Sequence, residues 1–118
     1  MRNGTLSNIS ALARGFVVIP ALVFWSTAAR GQDGAALFKT NCTPCHGDDG
    51  AGNTPTGKSL KAADLRSPEI QKKTDAELAT VIANGKGNMP EWKPSLSDDQ
   101  IKSLVAYIRK LKKKQSRG

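Results

Sequence analysis

Histidine occurs once in this 118-residue chain, cysteine twice, and methionine twice with the initiator included. Two thiols and one imidazole fall one ligand short of the closed four-coordinate site that structural zinc requires. No stretch alternates polar and apolar residues with a period of two, so no strand is expected. There is no internal repeat and no nucleotide-binding glycine pattern. Acids are outnumbered, 10 against 18 Lys and Arg, for a formal charge of +8. Aromatics make up only 5% of the residues, and none interleaves with the basic C-terminal run after Tyr107, which argues against nucleic acid as a partner. The one apolar run, Gly15 to Ala29, is broken by Pro20 and is shorter than the ~20 residues of a spanning helix.

That run has another reading. Arg2 and Arg14 precede Phe16, Val17, Val18, Ile19, Ala21, Leu22, Val23, Phe24 and Trp25, and small residues close the segment. This is the order of a secretory leader. Residues 1–31 are therefore expected to be a cleaved signal peptide, with the processing point between 28 and 31. Residues 32–118 form the mature domain, which stays basic because the leader removes only Arg2, Arg14 and Arg30 among the cations. A domain that short commonly needs a metal, a cross-link or a cofactor to complete its core.

Cys42-Thr43-Pro44-Cys45-His46 supplies a candidate. A C-x-x-C-H pentad reads as a covalent attachment site for c-type haem, in which two thiols bond the porphyrin edge and the adjacent imidazole ligates the iron. Met89, in Gly87-Asn88-Met89-Pro90, is the one methionine besides the initiator, so a His46/Met89 axial pair has no competitor. In an exported protein the same thiols could instead form a disulfide or a thioredoxin-like redox pair. Such pairs follow a strand in a βαβ unit, and no strand is expected here.

Helix signals surround the motif. Asp33 reads as an N-cap for a short helix over 34–41, with Gly34 and Phe38 on one face. Residues 47–57, rich in Gly, Asp, Asn, Thr and Pro, read as a loop wrapping one edge of a flat ligand. Ser67-Pro68 opens a short helical turn. Thr74-x-x-Glu77 and Ser97-x-x-Gln100 are capping boxes. The first opens a helix of about three turns ending at Gly85. The second opens the longest helix, whose apolar face is Ile101, Leu104, Val105, Ile108 and Leu111. Met89 then projects from a loop bounded by Gly85 and Pro94.

With Gly34 to Phe38, Cys42 to Gly47, Gly50 to Pro55, Gly87 to Pro90 and Leu104 to Ile108 in that order, the chain resembles the class I c-type cytochromes, specifically small bacterial mono-haem periplasmic ones, over about residues 33–113. The resemblance implies an all-α cytochrome c fold. Three to four helices wrap one haem c, and the first and last helices cross near Gly34, Phe38, Leu104 and Tyr107. It implies that Cys42 and Cys45 carry the haem and that His46 and Met89 are the axial ligands. A carbonyl of the Thr54-Pro55 loop is the expected acceptor for the second ring nitrogen of His46. Trp92 is expected at a haem edge and Tyr107 against the first helix. The implied function is one-electron transfer in the periplasm by a monomer, without small-molecule substrate or nucleic acid. Its partners are redox proteins with acidic docking surfaces, and membrane contact comes through a partner complex or an uncleaved leader. The cluster Arg109, Lys110, Lys112, Lys113, Lys114 and Arg117 is either such a docking surface or a solvated helix end whose cations suit the dipole. The alternatives are a subunit or anchored carrier of a larger oxidoreductase, and a peroxidase-like haem enzyme if Met89 is not a ligand.

Overall fold

A computed structural model of the chain describes residues 15–21 and 33–117. The leader assigned to residues 1–31 lies outside the described residues except for 15–21, which form no helix and expose Phe16, Val17, Val18 and Ile19. Among the described residues there are six helices: α1 (Gly34–Asn41), α2 (Thr43–His46), α3 (Pro55–Leu60), α4 (Pro68–Gln71), α5 (Asp75–Asn84) and α6 (Asp98–Gln115). The only extended pairing described is an isolated antiparallel bridge between Lys86 and Met89.

Local rules place most helix ends. Asp33 Oδ1 accepts the Ala35 N–H at 3.2 Å and opens α1. Both capping boxes form: Thr74 Oγ1 accepts from Glu77 N (3.1 Å) while Glu77 Oε2 accepts from Thr74 N (2.7 Å), and Ser97 and Gln100 do the same at 3.2 and 2.9 Å. The Thr74 backbone N–H, and secondarily the Thr74 hydroxyl, hold the Glu77 carboxyl below its usual range. The expected loop over 47–57 ends three residues early, because Thr54 caps a helix that begins at Pro55; the dense turn formers concealed a Thr-Pro start. The three to four helices anticipated are joined by helices of only four to six residues at α2, α3 and α4.

The core is the seam of α6 against α1 and α5. Ile101, Leu104, Val105, Ile108 and Leu111 are buried along one stripe, facing Leu37 and Phe38 of α1 and Leu78 and Ile82 of α5. The α1–α6 crossing is close because Gly34 has no side chain: a Cβ there would run into the Ser103 carbonyl and the Tyr107 Cβ. One turn on, the Phe38 and Tyr107 rings meet at 5.0 Å with a 46° tilt, so Tyr107 packs on the first helix as anticipated. The Lys114 ammonium lies 5.6 Å from the centroid of the Tyr107 ring.

Arg109 departs from both readings of the basic C-terminal run. Its guanidinium is neither solvated nor a free docking cation: it grips Asp75 Oδ1 (3.0 and 2.9 Å), the Gln71 carbonyl (2.8 Å) and the Lys73 carbonyl. Gln71 Nε2 reaches from α4 to the carbonyls of Leu65 (2.7 Å) and Ile108 (3.1 Å), doubling the attachment. Arg109→Met is expected to cost about 2 kcal/mol by releasing several charge-assisted bonds at a partly buried site. Arg109→Lys should recover less than half of that, since an ammonium cannot reproduce the fork. Denaturant unfolding of the haem-loaded protein checks both, and equal stability of all three proteins would remove the latch.

Candidate functional site

A cleft of about 460 Å³ opens between the α2–α3 side of the molecule and α5, with Ile108 of α6 in its lining. That volume is in the range of clefts that bury a cofactor-sized ligand, roughly 300–1,000 Å³. Its walls are mostly apolar: Leu65, Ile70, Leu78, Val81, Ile82 and Ile108 line it, with Trp92 as the aromatic. Cys42, Cys45 and His46 belong to the same lining, and so does Met89. Residues 47 apart in the chain are thus brought to one cavity.

Each side chain is positioned by local structure. The helical turn from Thr43 to His46 follows directly on α1, with the Cys42 N–H on the Phe38 carbonyl (2.8 Å) and the His46 N–H on the Cys42 carbonyl (2.8 Å). The Thr54 hydroxyl donates to the Pro44 carbonyl (2.8 Å) and lies 3.0 Å from the Cys45 carbonyl, and it accepts from Gly57 N at 2.9 Å. Gly57 is buried so tightly against the Cys45 and Gly52 carbonyls that no Cβ fits there. Thus α3 is clamped onto the back of the motif.

His46 Nδ1 lies 3.1 Å from the Ala63 carbonyl. A carbonyl can only accept, so Nδ1 carries the proton and the lone pair of Nε2 is left for a metal. The acceptor is therefore not in the Thr54-Pro55 loop, as expected from sequence, but nine residues beyond Thr54. Thr54 and Pro55 instead begin α3, which carries the chain past the imidazole before Ala63 can face it. Burial lowers the His46 pKa below its usual value, and the Ala63 bond opposes that only in part. The imidazole is neutral at neutral pH, the form that ligates.

The thiols are free and half-buried. Burial, and secondarily the charge of Cys45, pushes the Cys42 thiol up to about 11. A nucleophilic exchange cysteine is held in the opposite direction, by cations or a helix N-terminus, so the thiol oxidoreductase alternative has no physical support at Cys42. Among the described residues no three of His, Cys, Asp and Glu gather as a metal site.

Met89 enters from the other wall. Lys86 and Met89 exchange backbone bonds (3.1 and 3.0 Å) around a Gly87-Asn88 tip, and the turn is seated on the end of α5 by Trp92 N to the Ile82 carbonyl (3.1 Å) and Lys93 N to the Ala83 carbonyl (3.0 Å). Gly85, at φ +72°, is packed against the Met89 carbonyl and the Glu91 N–H, leaving no space for a side chain. Sequence reading found this methionine by its isolation, and Trp92 by its type. It did not find the wall residues Ile70, Val81 and Leu65, or Asn88, whose amide donates across the cleft mouth to the Leu60 carbonyl at 3.2 Å.

A family model described as cytochrome C oxidase, cbb3-type, subunit III matches residues 29–108. The chain is 39% identical over 75 residues to a cytochrome c6 of Leptolyngbya boryana, covering 64% of this chain and 85% of the relative. This chain belongs to the c-type cytochromes. A cbb3-type cytochrome c oxidase subunit FixP of Azorhizobium caulinodans is 37% identical over 81 residues, which are 68% of this chain but 27% of that subunit. Among solved structures, the KustC0563 c-type cytochrome superposes with a TM-score of 0.63 at 33% identity, covering 68% of this chain and 98% of its own. The all-α cytochrome c fold anticipated from sequence is thereby established, as is its cofactor, a covalently bound haem c with iron, and its activity, electron transfer. The residues of the cleft fit that group: an apolar slot, two thiols, a neutral imidazole with its lone pair free, and a thioether on the opposite wall. Among the described residues no helix of this cytochrome is long and apolar enough to cross a membrane.

Proposed function

We propose that this cytochrome is an exported mono-haem electron carrier in which Cys42 and Cys45 form the thioethers and His46 and Met89 are the axial ligands. The observation that supports it is the convergence of these four side chains on one apolar cleft, three from the α1–α2 side and Met89 from the turn after α5. Haem supplies a one-electron couple when bound. The chain does the rest. The Ala63 carbonyl holds the His46 ring and its tautomer. The thioether of Met89 favours the ferrous state, and the apolar walls keep water from the cofactor, both of which raise the potential. With both axial positions filled from its own residues, the domain exchanges electrons without binding a substrate, so it is a carrier and not an enzyme.

Residues 1–31 act as the leader in this reading and residues 32–118 as the periplasmic domain. The carrier works as a monomer that meets redox proteins through small, transient contacts, and its surplus of cations steers it to acidic ones. A second reading makes it a subunit or anchored carrier of a larger oxidoreductase, and the match to an oxidase subunit III model favours that alternative. Intact mass and the optical spectrum of the exported protein test the proposal together. The expected result is the mass of residues 32–118 plus one haem, with a sharp reduced α band of the c type. A mass equal to polypeptide alone would sink it, and recovery only within a membrane complex would favour the second reading.

A further inference from the structure

The walls of the cleft are built separately. One wall, residues 54–63, is tied to the attachment motif by the Thr54 hydroxyl on the Pro44 and Cys45 carbonyls, by Gly57 packed against the Cys45 carbonyl, and by the His46–Ala63 bond. The other, the Met89 turn, is tied by its backbone only to itself and to the end of α5. Among the described residues, one hydrogen bond joins them across the mouth: Asn88 Nδ2 to the Leu60 carbonyl, 3.2 Å, between residues 28 apart. Leu60 ends α3, and Lys61 follows it at φ +57° in the left-handed conformation. This turns the chain away and leaves the last carbonyl of the helix without a backbone N–H partner, the kind of acceptor that helix C-termini leave over. Asn88 meets that need from the residue next to Met89.

We propose that Asn88 is a positioning residue, a clasp that holds the Met89 turn closed over the cleft by coupling it to the wall that also orients His46. The inference rests on the reading of Met89 as an axial ligand. The geometry gives the clasp a functional consequence. From Met89 the chain reaches Asn88, crosses to Leu60, and arrives three residues later at Ala63, whose carbonyl holds the His46 ring. Opening the turn therefore requires this bond to break, whereas the core seam of α1, α5 and α6 is untouched. Loss of the amide donor should raise the population of the open turn without unfolding the domain. A ligand that binds only the open form reports that population directly.

The probe is imidazole, titrated optically against the ferric haem-loaded protein. Asn88→Ala and Asn88→Asp, both at an exposed position, are expected to bind it about fivefold more tightly than the unaltered protein, the size of one modest net hydrogen bond. The denaturant midpoint for global unfolding should stay nearly unchanged. Met89→Ala, measured alongside, should bind imidazole far more tightly than either. Unchanged imidazole affinity in both Asn88 variants, with Met89→Ala responding, would overturn the clasp and leave the ligation intact. A rise that merely tracks lost global stability would overturn it as well. If Met89→Ala binds no more tightly than the unaltered protein, the ligation reading fails, and the clasp with it.

Discussion

Met89→Ala is expected to lower the midpoint potential by on the order of 0.1 V, a fraction of the roughly 0.8 V over which axial ligands set haem potentials. With Met89 as the proposed ligand, its soft thioether would stabilise ferrous iron relative to ferric, and an alanine would offer nothing in its place and leave the sixth position to water or a small anion. The fold should survive the change. Lys86 and Met89 are joined through their backbones, and the turn is seated on α5 by Trp92 and Lys93, so the substitution removes a half-buried side chain and leaves its support standing. Voltammetry and the oxidised optical spectrum check the prediction together. The unaltered protein should show a thioether-to-iron band and low-spin iron, and the variant should lose the band and bind cyanide or imidazole readily. An open site also admits peroxide, so the variant should show higher peroxidase-like activity than the unaltered protein. An identical potential and spectrum in the two proteins would take Met89 out of the coordination sphere and give weight to the haem-enzyme alternative.

Gly34→Ala should destabilise the protein by about 3 kcal/mol, the upper part of the range for overpacking a close contact. The new methyl group would meet the Ser103 carbonyl and the Tyr107 Cβ. Both are backbone or backbone-proximal atoms that cannot swing aside, so relief requires α1 and α6 to separate. That separation would also loosen the Phe38–Tyr107 contact and the burial of Leu104, which is 0% exposed. Gly87→Ala is the informative control. Its Cβ would meet nothing within 4 Å, but Gly87 sits at φ +57°, so it pays only the left-handed backbone cost of about 1 kcal/mol. Denaturant unfolding of the three haem-loaded proteins should rank them unaltered, Gly87→Ala, Gly34→Ala. A Gly34→Ala protein as stable as the unaltered one would mean that the helices do not cross where the glycine places them.

The local features of this cytochrome were legible because they are carried by neighbours in sequence. Cys42, Cys45 and His46 lie within five positions. Each capping box spans Thr74 to Glu77 or Ser97 to Gln100, and the stripe from Ile101 to Leu111 repeats with the helical period. Two of the misses involve partners far apart in the chain. Ala63 is 17 residues from His46, and Arg109 is 34 from Asp75. An arginine among lysines at a helix end carries no sign that it will fold back on α4 and α5. The short α3 was hidden for a different reason: a helix of six residues has too few positions to display a period, and only its Thr-Pro start could have announced it.

Residue types and spacing alone determined the chemistry available to this chain: two thiols beside one imidazole, a solitary thioether, and helices with defined starts. These depend on bonds and contacts within a turn or two of helix, whose energetics are the same in any fold. Only the tertiary structure decided which carbonyl steers the imidazole, which arginine becomes a latch, and which amide closes the mouth of the cleft. Those choices follow from where α6 and α3 bring the chain back past itself, and that path is set by the burial of the whole apolar seam at once.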